Sequence, residues 1–192
     1  MENKYSFSVF NRYAKNGVCQ AINECNPKRL KPIFVCVGSD LVVGDSLGPL
    51  IGTRLREKDC GTYVYGTLNA PVTAKEVNYA KKYIRQMHPN SIIIAIDAAV
   101  GDSEDVGLMR VVDEGLRPGL GVHKRLEEIG DLSIIGIVAS RSAKNYNLFN
   151  LTRLNLVYMM AEKIVAGISD YMDNFCIDNA NTFESDVDFF LA

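Results

Sequence analysis

The strongest constraint on the fold comes from three short runs of apolar residues, at positions 33–37, 92–96 and 134–139. Each run is shorter than a typical helix, and none shows the polar alternation of a half-exposed strand. Strands that are apolar on both faces are typical of parallel sheets covered by helices on each side. The sequence therefore predicts an α/β fold, a three-layer αβα sandwich around a mostly parallel, doubly wound sheet.

Helix and strand patterns alternate between and beyond these runs. The predicted helices are 46–58, 73–87 and 149–166, and the further strands are 62–68 and 108–112. The last helix is expected to end at Gly167, because glycine is the residue that most often follows a helix end.

We expect one α/β domain over residues 1–169, which begins with an N-terminal extension (1–30), and an acidic C-terminal tail over 170–192. All 21 Lys and Arg residues precede Asp170, whereas six acidic residues follow from that position onward. The tail also contains Phe183, Phe189 and Phe190. Such a tail could stay solvated, fold back onto a basic face or bind a partner.

The composition excludes several classes of protein. Apolar residues make up 47% of the 192 residues and charged residues 23%, the ordinary globular mixture. No apolar run approaches the roughly 18 residues needed to span a bilayer, and the N-terminus opens polar. We therefore expect a cytoplasmic protein with no membrane partner. The five cysteines form no CxxC pair, so we expect reduced, structural thiols rather than a disulfide framework.

Two aspartates stand where a predicted parallel strand runs into a loop. Asp45 follows the first apolar run within the sequence GDSLGP, and Asp97 directly follows the second. Ligands of open α/β sheets bind in the crevice outside the carboxyl ends of the strands. Two acids that meet there could share a proton or hold an ion, so a hydrolytic site is the leading hypothesis.

Both aspartates also have a purely structural interpretation. Asp45 could cap the helix that follows it, and Asp97 could accept a hydrogen bond within its own turn. The loop before Asp45 lacks the GKS/T and GxGxxG patterns of phosphate-binding loops, so a nucleotide site is not expected.

His123, Lys124 and Arg125 follow a Pro/Gly-rich turn after the fourth predicted strand. A histidine at this rim could bind a metal or orient a substrate, although a surface role is the alternative. The two cations could bind an acidic substrate or lower the pKa of nearby carboxyls, or could simply be solvated. We take Asp45, Asp97 and His123 as candidate catalytic residues, and Lys124 and Arg125 as candidate substrate-binding residues.

Two mechanisms suit these residues, and the sequence leaves both open. In the first, one aspartate stays protonated while the other deprotonates a water that hydrolyses an amide. In the second, Asp45, Asp97 and His123 form an oxygen and nitrogen ligand set for a divalent ion such as zinc or nickel. The ion would then polarise a carbonyl or lower the pKa of bound water.

Three blocks, at residues 44–49, 94–99 and 117–129, resemble blocks of the spore germination protease in the same order. The fold also resembles that of the hydrogenase maturation proteases, a phosphorylase/hydrolase-like architecture. The chain as a whole is most similar to the short YyaC-type sporulation proteins, which are related to the germination protease. The similarity covers roughly residues 33–165.

The resemblance implies that Asp45 and Asp97 correspond to the catalytic aspartates of the germination protease. His123 stands where that family usually has asparagine, which makes the site more like that of the metal-binding maturation proteases. The chain is much shorter than the germination protease and lacks room for its additional subdomain.

The leading hypothesis is a sporulation-associated, aspartic-type or metal-assisted peptidase that acts on a protein or peptide in the sporulating cell or spore. The alternative is a catalytically lapsed peptidase fold that serves as a protein-binding or regulatory module. Direct nucleic-acid binding is not expected, because no aromatic-basic motif accompanies the slight positive charge before residue 170. Self-association into a homo-oligomer remains open.

Overall fold

The computed structural model describes residues 4–117, 128–141 and 152–190, and the side chains of residues 5–117, 128–141 and 152–177. The strands are β1 (Lys4–Ser8), β2 (Lys31–Cys36), β3 (Val64–Tyr65), β4 (Ser91–Gly101), β5 (Leu108–Val112) and β6 (Leu132–Ser140). The helices are α1 (Ala14–Cys25), α2 (Leu47–Glu57), α3 (Val77–Met87) and α4 (Leu154–Phe190), and 3₁₀ turns span Val43–Ser46 and Ser103–Asp105.

The six described strands form one sheet in the order β1-β5-β6-β4-β2-β3. The pairs β6–β4, β4–β2 and β2–β3 are parallel, and β5 and β1 add antiparallel pairs at the other edge. The order reverses beside β4, which lies between β2 and β6. The predicted mostly parallel sheet is confirmed, and its carboxyl rim contains the crevice where such folds bind ligands.

Helices cover both faces of the sheet. On one face, α1, α2 and α4 pack against a cluster that includes Ile94 and Ile96. On the other, α3 packs against a second cluster that includes Ile93 and Ala95. Successive residues of β4 thus point to opposite faces, as strand geometry requires. This confirms the three-layer sandwich. Within the described part of the chain, no helix combines the length and the hydropathy required to cross a bilayer.

The N-terminal residues contribute directly to this architecture. β1 is the edge strand beside β5, and α1 packs against α4. Val18 and Ile22 of α1 are fully buried. The segment predicted as an extension therefore supplies part of the main core.

The expected end of the last helix at Gly167 is wrong, because α4 continues to Phe190. Gly167 lies within the helix, where a Cβ atom would come within 2.7 Å of the Lys15 carbonyl oxygen and 2.8 Å of the Val18 Cβ. The glycine thus allows α1 and α4 to pack closely rather than ending the helix. Beyond it, Tyr171, Met172 and Phe175 are buried, so the acidic segment begins within the packed domain.

We predict that Phe175→Ala destabilises the protein by about 3–5 kcal/mol, the usual cost of truncating a buried aromatic side chain. Phe175 is only 8% exposed, and the Arg29 guanidinium carbon lies 5.6 Å from its ring centroid. The matched control is Ile177→Ala on the same helix, where the side chain is 58% exposed. Urea unfolding should show a change within about 0.5 kcal/mol for the control. Equal effects of the two substitutions would contradict the packing of α4 beyond Gly167.

Candidate active site

Asp45 lies in the 3₁₀ turn between β2 and α2, and backbone hydrogen bonds hold that turn against the end of β2. The Ser39 N–H donates to the Asp45 carbonyl oxygen at 3.1 Å, and the Asp45 N–H donates to that of Val42 at 3.0 Å. Gly38 has φ +137°, and a Cβ atom there would overlap the Asp45 carbonyl oxygen. Only glycine combines this conformation with so close an approach.

The first turn of α2 approaches β2 equally closely through Gly48. A Cβ atom at Gly48 would overlap the carbonyl oxygen of Val37. The sequence pattern alone assigns no role to Gly38 or Gly48. The available signal was a glycine directly after an apolar run and a second one in the first turn of the following helix. Together they fix the position of Asp45 relative to the sheet.

Asp97 lies within β4, not at its end as the apolar run predicted. β2 pairs with β4 only as far as Cys36 and Ile96, whereas β4 continues beside β6 to Gly101. Asp97 is therefore the first residue of β4 beyond its last registered pair with β2. By alternation it points to the face that α3 covers, and only 8% of its surface is exposed.

The charge of Asp45 affects the Asp97 carboxyl, and the environments of the two carboxyls differ. Burial, and secondly the charge of Asp45, raise the pKa of Asp97 well above its usual range, although the Ala98 N–H donates to Oδ1 at 2.8 Å. Burial also raises the pKa of the half-buried Asp45, and hydrogen bonding to the Ser39 backbone lowers it. The buried Asp97 is thus the group that retains a proton, and Asp45 is the more readily ionised partner.

The purely structural interpretation does not hold for Asp45 and holds in part for Asp97. The residue at the N-terminus of α2 is Ser46, and no side chain caps this helix. Capping therefore does not explain Asp45. The Asp97 carboxylate does accept a bond from the neighbouring backbone, as a turn acid would. That hydrogen bond involves only one oxygen of the buried carboxyl. The charge of Asp45 also affects whether this carboxyl is protonated, which a turn role alone does not explain.

The comparisons with known proteins identify a family. A family model described as "Protein of unknown function (DUF1256)" matches residues 7–167. The chain belongs to the DUF1256 family. It is 43% identical over 141 residues to "Uncharacterized protein YyaC" of Bacillus subtilis (strain 168), an alignment covering 72% of this chain and 69% of that protein. The resemblance to YyaC-type proteins is thus confirmed, whereas the link to the germination protease stays a prediction.

A solved structure shows the same fold. The [NiFe] hydrogenase maturation protease HycI from Thermococcus kodakarensis KOD1 is similar with a TM-score of 0.50 and 16% identity. The match covers 75% of this chain and 93% of that one. At this identity the similarity establishes the architecture alone. This DUF1256 chain therefore has a protease-like fold.

His123, Lys124 and Arg125 lie outside the described residues, so their predicted roles stay predictions. An antiparallel β-bridge between Leu116 and Ile129 joins the described segments before and after these three residues. Both residues pack in the α3-side cluster, and a Cβ atom at the neighbouring Gly130 would lie 3.0 Å from that of Ala95. Among the described residues, no three His, Cys, Asp or Glu side chains form a group that could hold a metal ion.

We predict that Asp97→Asn stabilises this protein at neutral pH. Because the folded pKa is raised, the cost of a buried charge appears as pH rises above the unfolded value of about 4 and grows until the folded pKa is reached. Asn removes that cost and can still accept the Ala98 hydrogen bond. Since one pKa unit corresponds to about 1.4 kcal/mol, we expect a gain above about 1 kcal/mol at pH 8 that vanishes at low pH.

Thermal unfolding of both proteins from about pH 4 to about pH 8 measures this gain in stability. The matched control is Asp40→Asn, which removes an exposed carboxylate from the loop before the 3₁₀ turn and should show no such pH-dependent gain. A loss of stability in Asp97→Asn at high pH, or a gain that persists at low pH, would contradict a buried carboxyl with a raised pKa.

Proposed function

We propose that this DUF1256 protein is a peptidase-like hydrolase in which Asp45 and Asp97 activate water for amide hydrolysis. The observation that carries the proposal is the unequal pair itself: a buried carboxyl at the rim of a parallel sheet, with its pKa raised partly by a second, more exposed carboxyl. Pairs whose environments separate their pKa values provide an acid and a base at one pH.

In the proposed reaction, ionised Asp45 accepts a proton from water, and the water oxygen attacks the amide carbonyl carbon. Asp97 donates its proton to the carbonyl oxygen, which gives a neutral tetrahedral intermediate. The carbon–nitrogen bond then breaks as Asp45 returns its proton to the leaving nitrogen. Asp97 recovers the proton from the intermediate's hydroxyl group as the carboxylic acid product forms. Each carboxyl thus ends in its starting protonation state.

The fold and the family support this proposal at different levels. The similarity to a hydrogenase maturation protease supports a peptidase-like architecture, and proteolysis is what that protein's name states. This similarity, together with the sequence blocks that resemble those of the germination protease, suggests a protein or peptide substrate. We propose that the protein acts in the cytoplasm of a sporulating cell or spore. Lys124 and Arg125 would then bind acidic groups of the substrate.

A metal-assisted form of the same reaction would use Asp45, Asp97 and His123 as ligands of zinc or nickel. The described residues offer two acids but no third ligand beside them, so this form depends on His123. When bound, such an ion would lower the pKa of water and polarise the carbonyl. Asp45 and Asp97 would then hold and orient it instead of sharing a proton.

We predict that Asp45→Asn and Asp97→Asn each reduce cleavage by at least about 100-fold, the lower range for loss of general acid–base catalysis. The probe is a library of peptides, and mass spectrometry identifies the new termini. The control, Asp40→Asn, removes a neighbouring acid and should cleave as the wild type does. Cleavage at the wild-type rate by both site variants would exclude these aspartates as catalytic residues.

For the metal-assisted form, isothermal titration with Zn²⁺ and Ni²⁺ should show one site per chain in the wild type. His123→Ala and Asp97→Asn should each weaken that binding at least about tenfold, because both are ligands in this form. His88→Ala is the control, since His88 Nε2 lies 2.8 Å from the Tyr65 hydroxyl in a different region. Wild-type protein that binds neither ion would leave the metal-free pair as the proposed mechanism.

A further inference from the structure

A continuous row of aromatic rings lies where β3 meets α3 at the edge of the sheet. The row, which we call the aromatic surface, consists of Tyr79, Tyr83, Tyr65, His88 and Tyr63. Neighbouring ring centroids along it are 6.2, 6.3, 5.9 and 4.6 Å apart. These distances are those of rings in direct contact. The row is thus one connected surface, not a set of isolated exposed rings.

Much of the aromatic surface faces solvent. Tyr79 is 74% exposed and Tyr63 57% exposed, and Met87 at the end of α3 is exposed as well. The Tyr65 hydroxyl and His88 Nε2 are 2.8 Å apart, which holds the middle of the row in place. Contiguous exposed aromatic patches are typical of interaction sites, where tyrosine is enriched. Such a surface binds a partner with little loss of conformational freedom.

Cationic side chains accompany the row, and the exposed Glu76 precedes Tyr79 by one helical turn. Helix α3 carries Lys81, Lys82 and Arg85 and contains no acidic residue. The Lys31 ammonium nitrogen lies 5.8 Å from the centroid of the Tyr63 ring. By helix spacing Lys82 lies on the side of Tyr79, whereas Lys81 and Arg85, which is ion-paired with Asp131 at 2.7 Å, lie on another side of α3. Lys82 and Lys31 are therefore the cations that the row offers to an acidic occupant. This surface fits an occupant that is both apolar and acidic.

The C-terminal segment of the same chain has this complementary chemistry. Residues 178–192 contain four acidic residues and no Lys or Arg. In the sequence, Phe183, Val187 and Phe190 are spaced at i, i+4 and i+7, the spacing of one face of a helix. Apolar anchors with this spacing are typical of helices that dock into grooves on a partner.

We infer that the aromatic surface binds the C-terminal segment, residues 178–192, of a second copy of the chain. The contact forms between chains because α4 and α3 cover opposite faces of the sheet. The apolar face of the segment packs on the tyrosine rings, and its acids interact with Lys31 and Lys82. Two chains can exchange segments reciprocally, which gives a closed dimer.

Sedimentation velocity on the full chain, from about 1 µM to about 100 µM, should show a concentration-dependent dimer. The double variant Tyr79→Ala/Tyr83→Ala and a chain ending at Ile177 should each remain monomeric over this range. Tyr13→Ala is the matched control, because Tyr13 is an exposed tyrosine outside the aromatic surface and its loss should leave the dimer intact. Circular dichroism verifies that each variant is folded.

A mixing experiment separates this contact from other modes of association. The chain ending at Ile177 keeps the aromatic surface, and the Tyr79→Ala/Tyr83→Ala chain keeps the segment. Mixed together, they should form a heterodimer through one contact, more weakly than the wild-type dimer forms through two. Raising the salt concentration from about 0.15 M to about 1 M should weaken both dimers, because it screens the charge interactions.

Three outcomes would overturn the inference. One is a wild-type chain that is monomeric at every concentration. Another is a dimer that survives both removal of the segment and loss of the two tyrosines. The third is dissociation on removal of the segment but not on loss of Tyr79 and Tyr83, which would show that the segment docks on a different surface.

Discussion

The candidate site depends on a backbone contact between the end of β2 and the start of α2. Gly38 and Gly48 allow this contact, because a side chain at either position would overlap a carbonyl oxygen of the facing backbone. Since the neighbours are backbone atoms, no rotation of a side chain could relieve the overlap. The contact turns the chain away from the sheet after β2 while β4 continues beside β6. That divergence leaves Asp45 within range of a charge interaction with Asp97, the first residue of β4 beyond its registered pairs with β2.

Two residues of the same type acquire different properties from this arrangement. Asp97 belongs to a strand surrounded by apolar side chains, so desolvation dominates its protonation. Asp45 belongs to a surface turn, where the Ser39 backbone partly compensates for its burial. The charge on Asp45 adds to this difference in pKa, because it disfavours a second charge on Asp97. A pair of equally exposed carboxylates would both be ionised at neutral pH and would offer no proton donor.

Much of this could be predicted from the sequence, because the apolar runs that form β2, β4 and β6 reflect burial on both faces. The rim location of the two aspartates followed from the same pattern. The extent of β4 did not, since residues 97–101 are held in the sheet by pairing with β6, a long-range interaction with no local signal. The predicted helix end at Gly167 was wrong for a related reason. The glycine allows close packing against α1, which is distant in sequence. The aromatic surface likewise exists only because α3 packs beside β3.

Helix α3 connects the candidate site and the aromatic surface, yet its two faces keep them separate. Val77, Ala80 and Ile84 are buried against the strands that lead to Asp45 and Asp97. Tyr79 and Tyr83 lie one helical turn apart on the exposed side. Replacing the exposed tyrosines removes no atom from the core that supports the two aspartates. The proposed hydrolytic site and the proposed dimer contact therefore involve different faces of one helix. A substitution of the exposed tyrosines can test the dimer contact without altering the core beneath the two aspartates.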